Sequence, residues 1–422
     1  MNALTSSTTS ALQARAKSGV SLFDSSRRLP SYAPDFFSND YLSLSSFPRL
    51  RQELLERLNE SPHLFGSQGS RALNGTTDNH IVLEKYFREL YEAPAAMIFN
   101  SGYIANLSFL GGVPQPGDVY VHDELVHASC HDGMQMSRAR NAMFSFTHNS
   151  PSSFESCILR VLEDFPQISA GKSTMFIVLE STYSMDGDFC PLQEFVALVE
   201  KHVPPSAAHI VVDEAHSLGL CGPRGMGLVK HLGLENRVHT VIHPLTKAPN
   251  FIGAFILTSP AIYQYIANYS RPFLFSTSLP HIDLIAIKHC FDTVISPLGA
   301  EQRELLHLNT HLFHRLILKA FIGIPRTILT LPDQSGVDQA TGLISPIFPI
   351  LTSRPVSLQY FLNARGYTAQ SFTFPVVPRG QDRIRIVIHA NNTEDDIRTF
   401  VAFIRVWGLQ QLDLGTNIEA KL

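Results

Sequence analysis

The sequence predicts an α/β protein with a mainly parallel central sheet, helices on both faces of that sheet, and a smaller α+β domain at the C-terminal end. Three observations indicate this fold class. Short apolar runs alternate with segments of helical periodicity, and polar or glycine-containing turns separate the two. Alternation of this kind is typical of parallel βαβ units. The length of 422 residues also suffices for two or three folding units, one of them with a sheet covered on both faces.

The large domain is predicted from its helical and strand-like segments. Residues 52–58 and 83–90 carry apolar side chains at helical spacing, and a further helix is expected over 191–201. The strand-like runs are short, apolar and partly β-branched, at 97–99, 175–179 and 209–212. Each such run is followed by a turn and a helical stretch, as in a doubly covered sheet.

The pattern changes after about residue 290, where the regular alternation ends. A helix over 302–320 and a proline-bearing stretch over 323–355 are followed by a helix over 358–365, a strand over 383–388 with two arginines on one face, and a last helix over 395–407. We therefore expect an N-terminal arm (1–45), a large α/β domain (46–290) and a small α+β domain with a polar tail (291–422).

Composition excludes several classes of protein. With 44% hydrophobic and 17% charged residues the chain is not a disordered one, and a net charge of −4 without a basic stripe argues against a nucleic-acid partner. No apolar run reaches the roughly 18 residues of a membrane span, and the polar N-terminus lacks the apolar core of a secretory signal. The five cysteines are scattered and predict a reduced compartment without a zinc or other metal site: Cys130, Cys157, Cys190, Cys221 and Cys290.

One acid and one lysine carry the first chemical indication. Asp213 ends an apolar strand, where side chains line the ligand crevice of an open α/β sheet, although Asp213 and Glu214 could equally cap a turn. Lys247 stands alone in the otherwise apolar stretch 241–257, so it is not expected to be a solvated surface residue. A lysine in an apolar site loses its proton readily and can form a Schiff base, and enzymes that use pyridoxal 5′-phosphate (PLP) pair such a lysine with an aspartate at the pyridine nitrogen.

A series of short motifs surrounds these two residues in a recognisable order. They lie at 38–42, 66–71, 80–84, 100–106, 123–129, 184–188, 213–216, 276–278 and 383–385. From about Asp35 to Ile404 the chain thereby resembles the α-oxoamine synthases of the fold-type I PLP superfamily. The resemblance implies the fold-type I architecture, PLP as cofactor, and a homodimer whose active sites are shared between two subunits.

The resemblance also assigns cofactor-binding roles. Gly102 and Tyr103 match the helix start at which the phosphate rests, although a serine-glycine pair is more often only a turn. His127 matches a histidine stacked on the cofactor ring, with His131 one turn away as a rival and a buried imidazole as the plainer reading. The remaining matches are Ser184 and His216 as ring contacts, Asp213 at the ring nitrogen and Lys247 as the Schiff-base lysine. Lys247, His127 and Asp213 are the implied catalytic residues.

Two further residues are expected at the substrates together with His127. Arg385 matches the arginine that holds the amino-acid carboxylate through two parallel hydrogen bonds. A surface arginine on a strand is the plainer alternative, and it suits Arg379, and to a lesser degree Arg383, better than Arg385. Asn39 matches an active-site asparagine from the N-terminal arm, with a helix cap as its alternative.

The neighbourhood of the lysine departs from the family pattern. Pro244 stands three residues before Lys247, where the family has a phosphate-binding threonine, so either Thr246 or His243 is the local candidate for that contact. A second candidate is Thr277 or Ser276 from the partner subunit. Val376 replaces a substrate-contacting threonine, and the arginine for the acyl substrate is not settled between three candidates in the N-terminal arm: Arg15, Arg27 and Arg28.

The activity implied by the resemblance is the decarboxylative condensation of L-alanine with pimeloyl-CoA, which releases CoA and CO2 and serves biotin synthesis. One alternative keeps this chemistry with another amino acid or acyl thioester in a specialised pathway. The other is a catalytically silent assembly subunit, which typically lacks the lysine that is present here.

The last three residues predict a peroxisomal location. Ala420, Lys421 and Leu422 resemble the Ser-Lys-Leu address read by the peroxisomal import receptor, although a tripeptide can also match by chance. A fluorescent protein fused to the N-terminus should form puncta that overlap a peroxisomal marker and become diffuse when Leu422 is deleted. Diffuse fluorescence from the intact fusion would contradict the prediction and make the enzyme cytosolic.

Overall fold

The computed structural model describes residues 2–17, 34–332, 337–338 and 341–419. Arg27, Arg28 and the C-terminal tripeptide lie outside the described residues. The strands are β1 (Ala95–Phe99), β2 (Val119–Asp123), β3 (Met143–Phe146), β4 (Met175–Glu180), β5 (Ala208–Asp213), β6 (Thr240–Pro244), β7 (Ala254–Thr258), β8 (Ile347–Leu351), β9 (Gln370–Phe372) and β10 (Arg383–Val387). The helices are α1 (Ala3–Lys17), α2 (Pro48–Glu60), α3 (Asp78–Leu90), α4 (Gly102–Gly112), α5 (Ala128–Met136), α6 (Pro151–Asp164), α7 (Pro166–Ser169), α8 (Leu192–His202), α9 (Leu228–His231), α10 (Pro260–Tyr269), α11 (Arg271–Phe275), α12 (His281–Val294), α13 (Pro297–Ala320), α14 (Pro355–Asn363) and α15 (Glu394–Glu419).

Two compact units divide the chain. The large unit comprises 39–184 and 189–305, and the small unit comprises Met1–Ser38, Met185–Asp188 and Leu306–Leu422. The division therefore falls inside α13 rather than at residue 290, and the N-terminal residues up to Ser38 group with the C-terminal part of the chain. The physical reason for that grouping is local pairing, because the Phe36 backbone N–H donates to the Thr368 carbonyl (3.0 Å) and the Phe36 ring stacks on Phe400 at 3.9 Å.

The large unit is built on a seven-stranded sheet in the order β1-β7-β6-β5-β4-β2-β3. The strands from β6 to β3 pair in parallel, whereas β7 pairs antiparallel with both β1 and β6. Every residue of β1, β2, β4, β6 and β7 is buried, which is the mark of a sheet covered on both faces. The mainly parallel α/β fold predicted from the sequence is confirmed.

Aromatic packing closes the core beside β1 and β7. The rings of Phe87 and Phe255 stack at 3.9 Å, and Phe291 meets Phe87 edge-on at 4.9 Å. These three side chains come from α3, β7 and α12, so one cluster joins two helices to the sheet edge.

The small unit contains a three-stranded antiparallel sheet in the order β8-β10-β9. Arg383 on the central strand is fully buried, and its guanidinium donates to the Asp186 carboxylate (2.6 Å) and to the Met185 carbonyl (3.0 Å). The interpretation of Arg383 as a surface arginine is therefore wrong. Gly187 is required in the same segment, because its φ is +69° and a Cβ there would lie 2.3 Å from the Ile347 carbonyl oxygen.

Three compositional expectations can be compared with the described part of the chain. All five cysteines are free thiols; Cys130, Cys190 and Cys221 are buried, and Cys157 and Cys290 are half-buried. No helix among the described residues is long and apolar enough to cross a membrane. In the same residues no group of histidine, cysteine and acidic side chains is arranged to hold a metal ion.

Candidate active site

The floor of the site is the carboxylate of Asp213 at the carboxyl end of β5. Its Oδ2 accepts a hydrogen bond from Asn106 Nδ2 (2.8 Å), and its Oδ1 accepts one from the Ala215 backbone N–H (2.9 Å). Burial raises the pKa of Asp213, while these donors and the nearby His127 and Lys247 act in the opposite direction. The acid is therefore held out of water with two fixed donors.

A second buried acid, Glu180, stands beside Asp213. It ends β4 and pairs with Asp213 in the parallel register of β4 and β5. Burial, and next the neighbouring Asp213, raise the pKa of Glu180 well above its usual range, which favours its protonated form. Sequence reasoning missed this residue, although an acid directly after the apolar run 175–179 was the available signal.

The start of α4 forms the candidate phosphate site. Ser101 caps the helix, since its Oγ accepts from the Ile104 N–H at 3.2 Å, and the first N–H groups of a helix have no acceptor within it. Gly102 is needed for close approach, because a Cβ there would lie 2.8 Å from the Pro244 ring. Tyr103 is exposed and its phenol donates to the Asp132 carboxylate.

Lys247 follows β6, the strand next to β5, so it and Asp213 come from neighbouring strand ends. Its side chain is half-buried, and its charge lowers the pKa of both Asp213 and Glu180. Thr246 beside it is exposed. The prediction that Lys247 is not a fully solvated lysine agrees with this half-burial.

His243 does not suit a phosphate contact. Its side chain is buried against the rings of Tyr91 (5.0 Å) and Phe255 (4.6 Å), and its Nδ1 lies 3.5 Å from Glu214 Oε2. Pro244, the next residue in the strand, faces Gly102, and successive strand side chains point to opposite faces. His243 therefore lies on the other face of the sheet, which leaves Thr246 as the local candidate.

The loop after β5 is anchored by Glu214. This fully buried carboxyl accepts the Val229 N–H at 2.7 Å, and Gly227 is obligatory beside it because a Cβ at Gly227 would lie 1.9 Å from Glu214 Oε2. Burial raises the pKa of Glu214 to about 8, against the lowering effect of the backbone N–H groups of Val229 and Leu228 and of the Ser217 hydroxyl.

His127 caps α5 and presents an exposed ring. Its Nδ1 accepts the Ser129 backbone N–H (3.2 Å) and lies 2.7 Å from the Ser129 Oγ. Its rival, His131, is half-buried and meets the buried His122 edge-on at 5.2 Å. Of the two imidazoles, His127 is thus the one with an open surface for stacking.

His216, the predicted ring contact, is held by a residue that sequence reasoning did not single out. Its Nδ1 lies 2.6 Å from the Tyr41 hydroxyl, and the same hydroxyl lies 3.3 Å from Asn39 Oδ1. The motif at 38–42 contained Tyr41, but its contact spans 175 residues of chain. Ser184, the other predicted ring contact, is half-buried shortly after β4.

Thr277 and Ser276 are exposed in the isolated chain. The backbone at Thr277 is fixed, since it forms a bridge with Ser70 and its carbonyl accepts from Asn100 Nδ2 at 2.7 Å. A rigid backbone with an outward hydroxyl suits a contact with a second subunit, which remains a prediction.

In the small unit, Arg385 lies on β10 between Pro349 of β8 and Gln370 of β9 and is 3% exposed. A buried arginine is not the surface residue of the plainer reading. Arg379, in contrast, is exposed and stacks over Phe374, and Val376 is also exposed. Arg15 lies in α1, where every residue is exposed.

Comparison with known proteins gives a consistent result. The model of the family described as aminotransferase class I and II matches residues 35–404. The chain is 36% identical to an 8-amino-7-oxononanoate synthase from Emericella nidulans over 91% of each chain, and 32% identical to aminoacyl transferase sphA from Aspergillus fumigatus over 92% of this chain and 83% of that one. A solved structure of SPT (serine palmitoyltransferase) with PLP covers 90% of this chain and 88% of that one with a TM-score of 0.76 at 26% identity.

The family match spans most of the chain, and the fold agrees with that of fold-type I PLP enzymes. PLP is the cofactor of this family. The chain belongs to the class I and II aminotransferase family and, within it, to the PLP-dependent α-oxoamine synthases, which are acyltransferases.

Proposed function

We propose that the protein condenses L-alanine with pimeloyl-CoA to give 8-amino-7-oxononanoate, CoA and CO2. The observation that carries this proposal is the meeting of Asp213, Lys247 and the start of α4 at neighbouring ends of the central sheet. The choice of substrates is supported by the relative from Emericella nidulans, which is named 8-amino-7-oxononanoate synthase and aligns with this protein over 91% of each chain.

The residues of the large unit fit PLP. The buried Asp213 carboxylate already has two donors, which favour the ionised form that a protonated pyridine nitrogen requires. Gly102 leaves room at the N-terminus of α4 for a phosphate, and Lys247 is half-buried at a neighbouring strand end. When bound there, PLP would withdraw electrons from the α-carbon of the amino acid.

The chain's own groups supply binding and proton transfer. In the proposed reaction Lys247 Nζ takes the proton from the α-carbon of alanine, and Asp213 holds a negative charge opposite the pyridine nitrogen. Arg385 binds the alanine carboxylate with two parallel hydrogen bonds. In this proposal the exposed ring of His127 would stack on the cofactor ring, and Asn39, next to Tyr41 and His216, would contact the substrate.

A second candidate keeps this chemistry with different substrates. It is favoured by two departures, since Pro244 replaces a phosphate-binding threonine and the exposed Val376 replaces a substrate-contacting one. Two proteins similar to this chain have other names, aminoacyl transferase sphA and serine palmitoyltransferase, and the second name specifies serine and a palmitoyl group. A silent assembly subunit is the weakest candidate, because Lys247, Asp213 and His127 are all present.

We further propose a homodimer in which Thr277 or Ser276 of one subunit completes the phosphate site of the other. The exposed side chain and the fixed backbone at Thr277 support this arrangement. The measured mass in solution and PLP binding by Thr277→Val would test it.

CoA release from a panel of amino acids and acyl-CoA thioesters tests the substrates. We expect alanine with pimeloyl-CoA to give the fastest release, with one CO2 formed per CoA. Lys247→Ala is the control, and it should abolish both turnover and the visible absorbance of the bound cofactor. Faster release from serine or glycine, or from another acyl-CoA, would replace the proposed substrates by the second candidate. No release from any pair by protein that retains the cofactor absorbance would favour the silent subunit.

Arg385→Lys tests the carboxylate site. An ammonium cannot reproduce the bidentate fork, so alanine binding should weaken by about ten- to a hundredfold, the equivalent of about 1.5 to 3 kcal/mol. The cofactor absorbance should persist, and titration of alanine against that absorbance gives the affinity. Arg379→Lys on the same segment is the matched control and should titrate like the parent. An unchanged titration for Arg385→Lys would remove this arginine from the site.

Thr246→Val tests the local phosphate contact, since valine keeps the shape and removes the hydroxyl. The dissociation constant for PLP should rise by about ten- to a hundredfold if a hydrogen bond to the charged phosphate is lost. Equilibrium dialysis with PLP measures the change, and the thermal midpoint without PLP controls for folding. If Thr246→Val binds PLP as tightly as the parent, the phosphate is held by other groups, and Thr277→Val should then show the loss.

A further inference from the structure

Asn106, in the second turn of α4, bridges two residues of the site. Its side chain is buried, with 2% of the residue exposed, and its Nδ2 donates both to Asp213 Oδ2 (2.8 Å) and to Ser129 Oγ (2.9 Å). An amide nitrogen carries two hydrogens, so both are used. The Oδ1 atom of the same amide is buried and has no hydrogen-bond partner among the residues that the structure describes.

The orientation of the amide follows from chemistry. If the Asn106 amide were turned over, its Oδ1 would face the Asp213 carboxylate, and two acceptors would repel each other. An ionised Asp213 is therefore compatible only with the observed orientation of the amide. A leucine would fill a similar volume without an unsatisfied buried oxygen, so packing alone does not account for an asparagine here.

The second branch of the bridge leads through the Ser129 hydroxyl to His127, whose proton position is fixed by the Ser129 backbone N–H. The Ser129 backbone N–H can only donate, so His127 Nδ1 must accept, and the proton of the neutral ring lies on Nε2. The Ser129 hydroxyl then donates to Nδ1 at 2.7 Å and uses its oxygen to accept from Asn106. In the chain of hydrogen bonds from Asn106 through Ser129 to His127, each group therefore donates to the next.

We propose that Asn106 is a positioning residue, which through one buried amide keeps Asp213 aligned in its ionised form and fixes the Ser129 hydroxyl as a donor to His127 Nδ1. This inference rests on the proposed function only in placing PLP between Asp213 and His127. It joins the ring-nitrogen partner and the stacking histidine into one unit, although they lie on β5 and at the start of α5.

The proposal has a pH signature. Besides the Asn106 amide, the groups that face Asp213 are the Ala215 N–H, His127, Lys247 and three buried groups, Glu180, Glu214 and Cys130. Removing the Asn106 donor leaves these groups in place, so burial raises the pKa of Asp213 further. Because PLP binding needs the carboxylate, the pH below which PLP affinity falls should move upward. A hydrogen bond to a charged group corresponds to a displacement of about one to two pH units.

The experiment compares three forms of the full-length protein with PLP as the only ligand. The dissociation constant for PLP is measured as a function of pH for the parent, Asn106→Leu and Ser129→Ala. Asn106→Leu should bind PLP about ten- to a hundredfold more weakly near neutral pH and should lose affinity at a higher pH than the parent. Ser129→Ala keeps the bond from Asn106 to Asp213 and should lose affinity at the parent's pH.

Nitrogen-15 spectra of labelled histidine test the second branch, with His127→Gln to identify the signals. The Nε2–H tautomer of His127 should appear in all three forms, because each keeps the Ser129 backbone N–H. The Nδ1 resonance should shift in Ser129→Ala, where that nitrogen loses the hydroxyl donor, and should shift less in Asn106→Leu, where the hydroxyl is no longer held as a donor. Thermal midpoints without PLP control for folding, and Asn106→Ala replaces Asn106→Leu if the latter does not fold.

The proposal would be overturned if Asn106→Leu lost PLP affinity at the same pH as the parent. It would also be overturned if this pH were displaced as far in Ser129→Ala as in Asn106→Leu. A His127 Nδ1 resonance that is unchanged in both variants would overturn it as well. Because no acyl donor is used, a wrong substrate assignment leaves these measurements unaffected and appears only as absent CoA release from alanine and pimeloyl-CoA.

Discussion

The burial of Asp213 imposes the constraint on which the arrangement of the large unit depends. A carboxylate at the end of a central strand is separated from water, so its charge must be stabilised by protein donors at fixed positions. Asn106 and the Ala215 N–H meet that need, and each requires its own backbone to be in place. The position of α4 against β5 and the turn after β5 are therefore linked to the charge of one side chain.

The first turn of α4, which precedes Asn106, has a second role. It lies against the Pro244 ring, which packs directly on Gly102, so the helix start and the strand that leads to Lys247 approach closely because the helix has no side chain at this position. A threonine is the family residue at the position of Pro244, and the proline ring cannot donate a hydrogen bond. We therefore expect the phosphate contacts of this protein to differ from the family pattern.

The sequence was sufficient for the large elements because strands buried on both faces leave continuous apolar runs, as at 97–99, 175–179 and 209–212. It could not show that β7 runs antiparallel to its neighbours, since an apolar run has no direction. Residues whose partners lie far away along the chain were missed or misread, because a local sequence pattern does not show such contacts. Tyr41 reaches His216 across 175 residues, and Arg383 pairs with Asp186 across 197, so the alternation of the strand alone could not separate a buried arginine from an exposed one.

Glu214 gives the fold a thermodynamic link to the proton concentration. Its pKa of about 8 in the folded chain lies above the 4.5 of an ordinary glutamate, so folding between these two values takes up a proton. The stability contributed by this site is therefore complete below the lower value and decreases as the pH rises toward the upper one. Raising the pH from about 4.5 to about 8 therefore destabilises the large unit through the loop that Glu214 anchors by way of Val229.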